Sequence, residues 1–270
     1  MKARRPDFDF SETPAHWAAT PEFAQHWNSN SIWIPHLERF LNRVVAKALG
    51  EIKGDDGETK RIKADARMFI RQEANHYSLH DAFNAAVKRD GYELEPFEAH
   101  FGEEFERLFR TKSLAFLCAY CEGFETFGPP GALFWLDEME DLLEGARPEV
   151  VALWKWHLLE EYEHRTVCAD VYQRIHGGYF LRIYALFYQL IHLQGFSAKV
   201  VAYLFAKDRE GMSKGELKAS KKRSRALSFR FARHILPRAL KALSPFYSPR
   251  NAKEPRMYAS YMALVESTLP

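Results

Sequence analysis

The chain has 270 residues, of which 47% are hydrophobic, 14% aromatic and 27% charged. That is the composition of a globular protein long enough to bury a large core, and it excludes a disordered or low-complexity chain. Three cysteines, Cys118, Cys121 and Cys168, are too few for a disulfide scaffold and suit a reducing compartment. The net charge is only +2, but residues Lys207 to Arg256 hold 15 basic against 4 acidic side chains, leaving 23 basic and 32 acidic elsewhere. The basic stretch is a candidate contact for anions, a membrane surface or an acidic partner.

Residues 1–30 read as an irregular N-terminal extension, with Pro6, Pro14 and Pro21. No apolar run follows the basic start, so no signal peptide is expected and a cytoplasmic location, peripheral to a membrane at most, is the expectation. A first helix is predicted after Pro35, carried by Leu37, Leu41, Val44, Val45 and Ala48 at helical spacing and ended by Gly50. A second runs from about Lys63 to Lys88, closed by Asp90-Gly91. A third spans about Phe101 to Phe127 and stops at Gly128-Pro129-Pro130-Gly131, and a short amphipathic helix follows through Leu143. Pro148 opens another that reaches about Ile175, before Gly177-Gly178. The apolar stretch from Tyr179 to Ala206 carries Arg182, Gln189, His192, Gln194 and Lys199, too many polar groups for a comfortable membrane span, and reads as one buried helix or two broken near Gly195. The predicted class is therefore all-α: a bundle over 31–178, with additional helices and the basic segment over 179–270 packed upon it. No phosphate-binding glycine loop is present. Lys221-Lys222-Arg223-Ser224-Arg225 lacks a base-stacking aromatic motif, so no nucleic-acid partner is expected.

Two Glu-x-x-His sites stand on separate predicted helices, Glu73/His76 and Glu161/His164. Residues three apart on a helix point the same way, so each carboxylate and imidazole can converge on one metal. Two further helices supply a candidate inward carboxylate each. Glu38 shares the apolar face of Ile34 and Leu41, and Glu122 lies in Cys121-Glu122-Gly123-Phe124-Glu125. A core carboxylate needs a metal or a cation beside it. The order Glu38, Glu73/His76, Glu122, Glu161/His164 is that in which ferritin-like bundles supply a di-metal carboxylate site. The steps of 35, 49 and 39 residues between the glutamates each leave room for a helix and a connection. His80 and His157 can face the same interior, as outer groups orienting carboxylates or as extra ligands, the former being expected. Cys118-x-x-Cys121 reads as core cysteine, because no partner pair or redox setting accompanies it.

The stretches Arg71-Gln72-Glu73-Ala74-Asn75-His76-Tyr77-Ser78-Leu79-His80 and Trp156-His157-Leu158-Leu159-Glu160-Glu161-Tyr162-Glu163-His164 resemble the signature blocks of a bacterial ferritin-like family described as predicted metal-dependent hydrolases. The resemblance covers roughly residues 25 to 205. It implies a ferritin-like four-helix bundle around two metal ions and a hydrolytic label. Where the family pattern has a His directly after the third glutamate, this chain has Gly123, which leaves Glu122 and Glu125 as alternatives for that ligand.

Carboxylate and imidazole donors suit iron, with manganese as the alternative. The reading placed first is an O2-dependent di-iron oxidase or oxygenase for a small apolar or amphiphilic substrate, supplied by an electron donor. A di-metal hydrolase stands second, and a non-enzymatic metal-binding protein third. An acidic carrier or an anionic membrane surface is expected at the basic C-terminal segment, and a homodimer is compatible with the chain.

Overall fold

The first helix, α1 (Pro21–Glu51), begins earlier than the sequence pattern predicts. Pro21 provides its start, because a proline at the first helical position removes an N–H that would be unpaired there. Pro35 lies inside it. Pro35 has no N–H to give the Ser31 carbonyl, and the side-chain Nδ2 of Asn84 donates to that oxygen instead, at 2.9 Å. A proline that would ordinarily break the helix is thus tolerated because the second helix repairs the lost bond. That helix, α2 (Gly57–Arg89), is N-capped by Asp56, whose side chain accepts from the Thr59 N–H. It packs antiparallel along α1.

The computed structural model describes residues 1–267, and no strand occurs among them. The predicted third helix is two: α3 (Glu95–Thr111) and α4 (Leu114–Glu125). They are separated where Lys112 leaves helical geometry and Ser113 caps α4 by accepting from the Phe116 N–H. Gly128-Pro129-Pro130-Gly131 starts a helix rather than ending one: α5 (Gly128–Asp137) follows α4 through Thr126 and Phe127, both in right-handed helical conformation. A single turn, α6 (Glu140–Leu143), leads to α7 (Pro148–His164). After a bend at Arg165 and Thr166 comes α8 (Val167–Ile175). The apolar stretch forms one unbroken helix, α9 (Tyr179–Asp208), lying against α4 and α1. The chain closes with α10 (Lys214–Ala239), two short 3-10 turns (Leu240–Leu243 and Pro249–Asn251) and α11 (Tyr258–Ser267). No helix among the described residues is long and apolar enough to cross a membrane.

The core is one contiguous cluster that includes Leu37, Leu41, Phe69, Phe83, Leu117, Leu153 and Trp156. Residues before α1 belong to it. Phe10 and Trp17 are buried, and Arg4 reaches Glu160 and Glu163 on α7. The basic segment folds back on the acidic body: Arg223 pairs with Glu22 at 2.8 Å, Arg230 with Asp141 at 2.7 Å and Arg250 with Asp170 at 2.7 Å. Lys214, Lys218, Lys221, Lys222 and Arg225 remain together on the outer face of α10.

Candidate metal centre

Helices α1, α2, α4 and α7 each turn acidic or imidazole groups inward. Glu38, Glu73, His76 and His164 are fully buried, and Glu125, His157 and Glu161 nearly so. One donor atom from each of Glu38, His76, His157 and Glu161 lies within 4.8 Å of the others, and the same holds for Glu73, His76, Glu161 and His164. His157 Nε2 is 3.6 Å from Glu38 Oε1 and 3.3 Å from Glu161 Oε1. His76 Nδ1 is 3.5 Å from Glu73 Oε2 and 3.7 Å from Glu161 Oε1, and His164 Nδ1 is 2.8 Å from Glu73 Oε1. Ligands held about 2.1 Å from a shared ion stand roughly 3–3.5 Å apart, so the groups are near coordinating distance already. Glu161 and His76 belong to both sets.

Each imidazole is fixed from behind, which decides the nitrogen it turns inward. His76 Nε2 donates to Glu160 Oε2 at 3.1 Å, leaving Nδ1 toward the carboxylates. His164 Nε2 donates to Gln72 Oε1 at 3.1 Å, again leaving Nδ1 inward. For His157 the assignment follows from a relay that begins at Pro35. Donation to the Ser31 carbonyl orients the Asn84 amide, so Asn84 Oδ1 must accept from the Ser31 hydroxyl, at 2.7 Å. The hydroxyl proton being used, Ser31 Oγ accepts from His80 Nδ1 at 2.8 Å. His80 Nε2 then accepts from His157 Nδ1, also at 2.8 Å. His157 Nε2 is left as a lone pair facing Glu38 and Glu161. Burial holds both His80 and His157 below the ordinary histidine range, which keeps them neutral as the relay requires.

A second outer network ties the other two imidazoles together. Arg4 Nη1 donates to Glu160 Oε1 and to Glu163 Oε2, each at 3.2 Å. Glu163 also accepts from Gln72 Nε2 at 2.9 Å and from the Tyr258 hydroxyl at 3.0 Å. One arginine from the N-terminal stretch therefore anchors the carboxylate behind His76 and, through Glu163 and Gln72, the amide behind His164.

The inner atoms are those a metal would satisfy. Both oxygens of Glu38, Glu73 and Glu125, with Glu161 Oε1, His76 Nδ1 and His164 Nδ1, are buried without a hydrogen-bond partner. So many orphaned polar atoms in one core would be costly in a metal-free design. The electrostatics agree. Burial, reinforced by the neighbouring carboxylates, pushes Glu38 and Glu125 well above the ordinary carboxylate range. Burial also works against an ionised Glu73, but the His164 and His76 imidazoles outweigh it and hold Glu73 low. His76 is raised despite its burial, by its hydrogen bond to Glu160 and the nearby charge of Glu73 and Glu38. An all-oxygen and imidazole set of this kind accommodates iron, manganese or zinc.

Of the residues singled out in the sequence, Glu38, Glu73, His76, Glu161, His164 and His157 come together, and His80 stands behind His157. Glu125 is raised electrostatically by Glu161, Glu73 and Glu38. Glu122, three residues earlier, faces α9: its Oε1 lies 3.7 Å from Arg182. Burial raises the Glu122 carboxyl to about 7 against the pull of Arg182. Of the two alternatives, Glu122 faces Arg182 while Glu125 interacts electrostatically with the clustered carboxylates, although it belongs to neither of the two four-residue donor sets. Sequence reasoning missed Arg4, Ser31, Gln72 and Asn84, and Glu160, fully buried, stands behind His76. Gln72 and Glu160 stood inside the signature blocks, next to Glu73 and Glu161. Arg4 and Ser31 carried no local signal. Gly128 is a further element of the site, because a Cβ there would stand 3.1 Å from both the carbonyl oxygen and Oε2 of Glu161.

No curated protein and no solved structure matches this chain. A family model, that of the predicted metal-dependent hydrolases, matches residues 2–253, a span that contains every donor of the buried cluster and all of its outer network except Tyr258. The chain therefore belongs to the predicted metal-dependent hydrolase family.

Proposed function

We propose that this protein is a metal-dependent hydrolase whose centre holds two ions. One is bound by Glu38, His157 and Glu161, the other by Glu73, His164 and His76, with Glu125 as a further carboxylate. The observation that carries the reading is the set of buried, unpartnered donor atoms whose histidines are all oriented from behind. It is joined by the hydrolase description of the family. Glu161 Oε1 is shared by both sets, which suits a carboxylate that spans two ions, whereas His76 offers only Nδ1 and serves one. A divalent metal here would supply Lewis acidity and activate water at neutral pH. The chain's own part is to hold the donors rigid and keep bulk water out, with Glu125 contributing a further buried carboxylate whose oxygens have no hydrogen-bond partner. The oxidative reading placed first from the sequence has no observation of its own here, and the hydrolytic one takes its place.

We further propose that substrate approaches by the cleft of ≈ 450 Å³ behind the α4–α5 bend. Its floor includes Thr126, next to Glu125, and Pro129 and Pro130, next to Gly128. Leu133, Phe246 and Tyr247 make it apolar, while Arg238, Lys241 and Lys253 stand around it. Lys241 and Lys253 form no ion pair among the described residues. That combination fits an amphiphile with an acidic head, drawn in by these cations.

The test is turnover without oxygen. Chain reconstituted with Mn(II), Zn(II) or Fe(II) under argon should hydrolyse activated esters or phosphoesters, prefer those with an anionic apolar tail, and lose activity on chelation and in Glu161→Gln. Oxygen consumption by the Fe(II) form, with no anaerobic hydrolysis of any ester or phosphoester, would overturn the hydrolytic reading in favour of oxidation.

A further inference from the structure

Helix α9 buries one face against α4 and α1 and leaves the other bare. On the bare face Phe180 is 85% exposed, Tyr184 56%, Phe187 48% and Ile191 74%. Continuing at the same helical spacing, Gly195, Ala198, Ala202 and Ala206 are exposed too. At 3.6 residues per turn these eight positions fall within about 100° of arc, and none is charged. The N-terminal half of the stripe is bulky and the C-terminal half is small. Gly195 is a separate anomaly. A glycine in the middle of a 30-residue helix costs roughly 0.5–1 kcal/mol relative to alanine, and a Cβ there would meet nothing within 4 Å. Nothing inside this chain calls for it.

We propose that this face is the interface of a two-fold dimer in which α9 of one copy lies antiparallel on α9 of another. A two-fold axis near residue 193 sets Phe180 against Ala206, Tyr184 against Ala202, Phe187 against Ala198 and Ile191 against Gly195. Every bulky residue meets a small one, and each pair occurs twice, as an isologous interface requires. Gly195 is then the point of closest approach, where the partner's backbone comes in over Ile191. Four side chains supply on the order of 500 Å² of exposed surface, taking ~200 Å² for a fully exposed large side chain. The small residues and the flanking Gln194 and Lys199 extend this along about 40 Å of helix, toward the roughly 800 Å² per partner of a stable interface. The inference is independent of the reaction assigned to the metal centre.

Light scattering on the full-length chain at about 20 μM should give twice its 31.4 kDa mass. Ile191→Glu buries a carboxylate against its partner and should raise the dissociation constant about 100-fold or more, with unchanged circular dichroism because the position is exposed. Register is read by cross-linking. Tyr184→Cys and Ala202→Cys should form a disulfide-linked dimer when mixed, and neither should do so alone, because like positions lie about 27 Å apart in the antiparallel pair. The native cysteines are buried and do not compete. A wild-type chain that stays monomeric at 100 μM, including one that instead sediments with phosphatidylglycerol vesicles, overturns the proposal. So does Tyr184→Cys cross-linking to itself as readily as to Ala202→Cys.

Discussion

Ser31→Ala removes a single hydroxyl that touches no donor of the metal centre, and it should nevertheless weaken metal binding. The side chain is fully buried, receives the His80 Nδ1 proton and gives its own to Asn84. Without it the His80 N–H is stranded, a cost of about 1–3 kcal/mol for a buried unsatisfied donor. His80 can avoid that cost by moving its proton to Nε2, but His157 Nδ1 must then accept, and the His157 proton shifts to Nε2, the nitrogen facing Glu38 and Glu161. Either way the His157 lone pair is lost or misdirected. Loss of an outer partner of a ligating histidine typically costs 10–100-fold in metal affinity, equivalent to about 1.4–2.7 kcal/mol. The assay is competition titration of Mn(II) against a chromophoric chelator, with Ser29→Ala as control, since Ser29 is equally buried but bonds only the His26 carbonyl. Equal Mn(II) affinity in Ser31→Ala and wild type, or equal losses in both variants, would refute the relay.

Glu125→Gln should lower metal affinity or stoichiometry while Glu122→Gln, whose carboxylate faces Arg182, should leave both near wild type; metal analysis after gel filtration distinguishes them, and the reverse pattern would return the role to Glu122. Gly128→Ala drives a methyl to 3.1 Å from Glu161 Oε2, so it should cost about 1–3 kcal/mol by overpacking and weaken metal binding together with thermal stability. Metal uptake should release protons and strengthen as pH rises, because Glu38, Glu125 and His76 are all raised in the metal-free chain and must surrender protons to the ion; calorimetry in buffers of different ionisation enthalpy reads the number, and zero would contradict the assignment. By the same linkage, a carboxyl raised on folding adds stability below its folded pKa that fades as pH climbs through it, so the chelated chain should lose stability from acid toward neutral pH relative to the metal-loaded chain, as followed by urea midpoints.

The two Glu-x-x-His sites were legible because their geometry is local: three residues on a helix place both groups on one face whatever surrounds them. The all-helical class was legible for the same reason, from apolar spacing. Glu122 and Glu125 could not be separated that way. They too lie three apart on one helix, and what distinguishes them is Arg182 on α9, sixty residues on from Glu122 in the sequence. His157 was visible as inward-facing, but the direct role proposed for it depends on a tautomer set through His80, Ser31 and Asn84, which requires the register of α1, α2 and α7. Pro35 looked like a helix start because its missing N–H suits one. The Asn84 amide that compensates it inside α1 comes from another helix. Gly128-Pro129-Pro130-Gly131 reads equally as a stop and as a first turn, and packing of α5 on α7 decides for the second. Arg4 lies in a stretch without periodicity, so its ion pairs with Glu160 and Glu163 left no trace in the pattern.

The central claim is that the buried carboxylates and imidazoles hold two metal ions. It is tested most directly by anomalous diffraction from crystals of the Mn(II)- or Fe(II)-loaded protein. The account predicts two peaks within roughly 3–4 Å of each other, one against Glu38 and His157 and the other against Glu73 and His164, with Glu161 between them. A loaded protein whose metal lies elsewhere, with Glu38, Glu73 and Glu161 instead sharing protons among themselves, would contradict it.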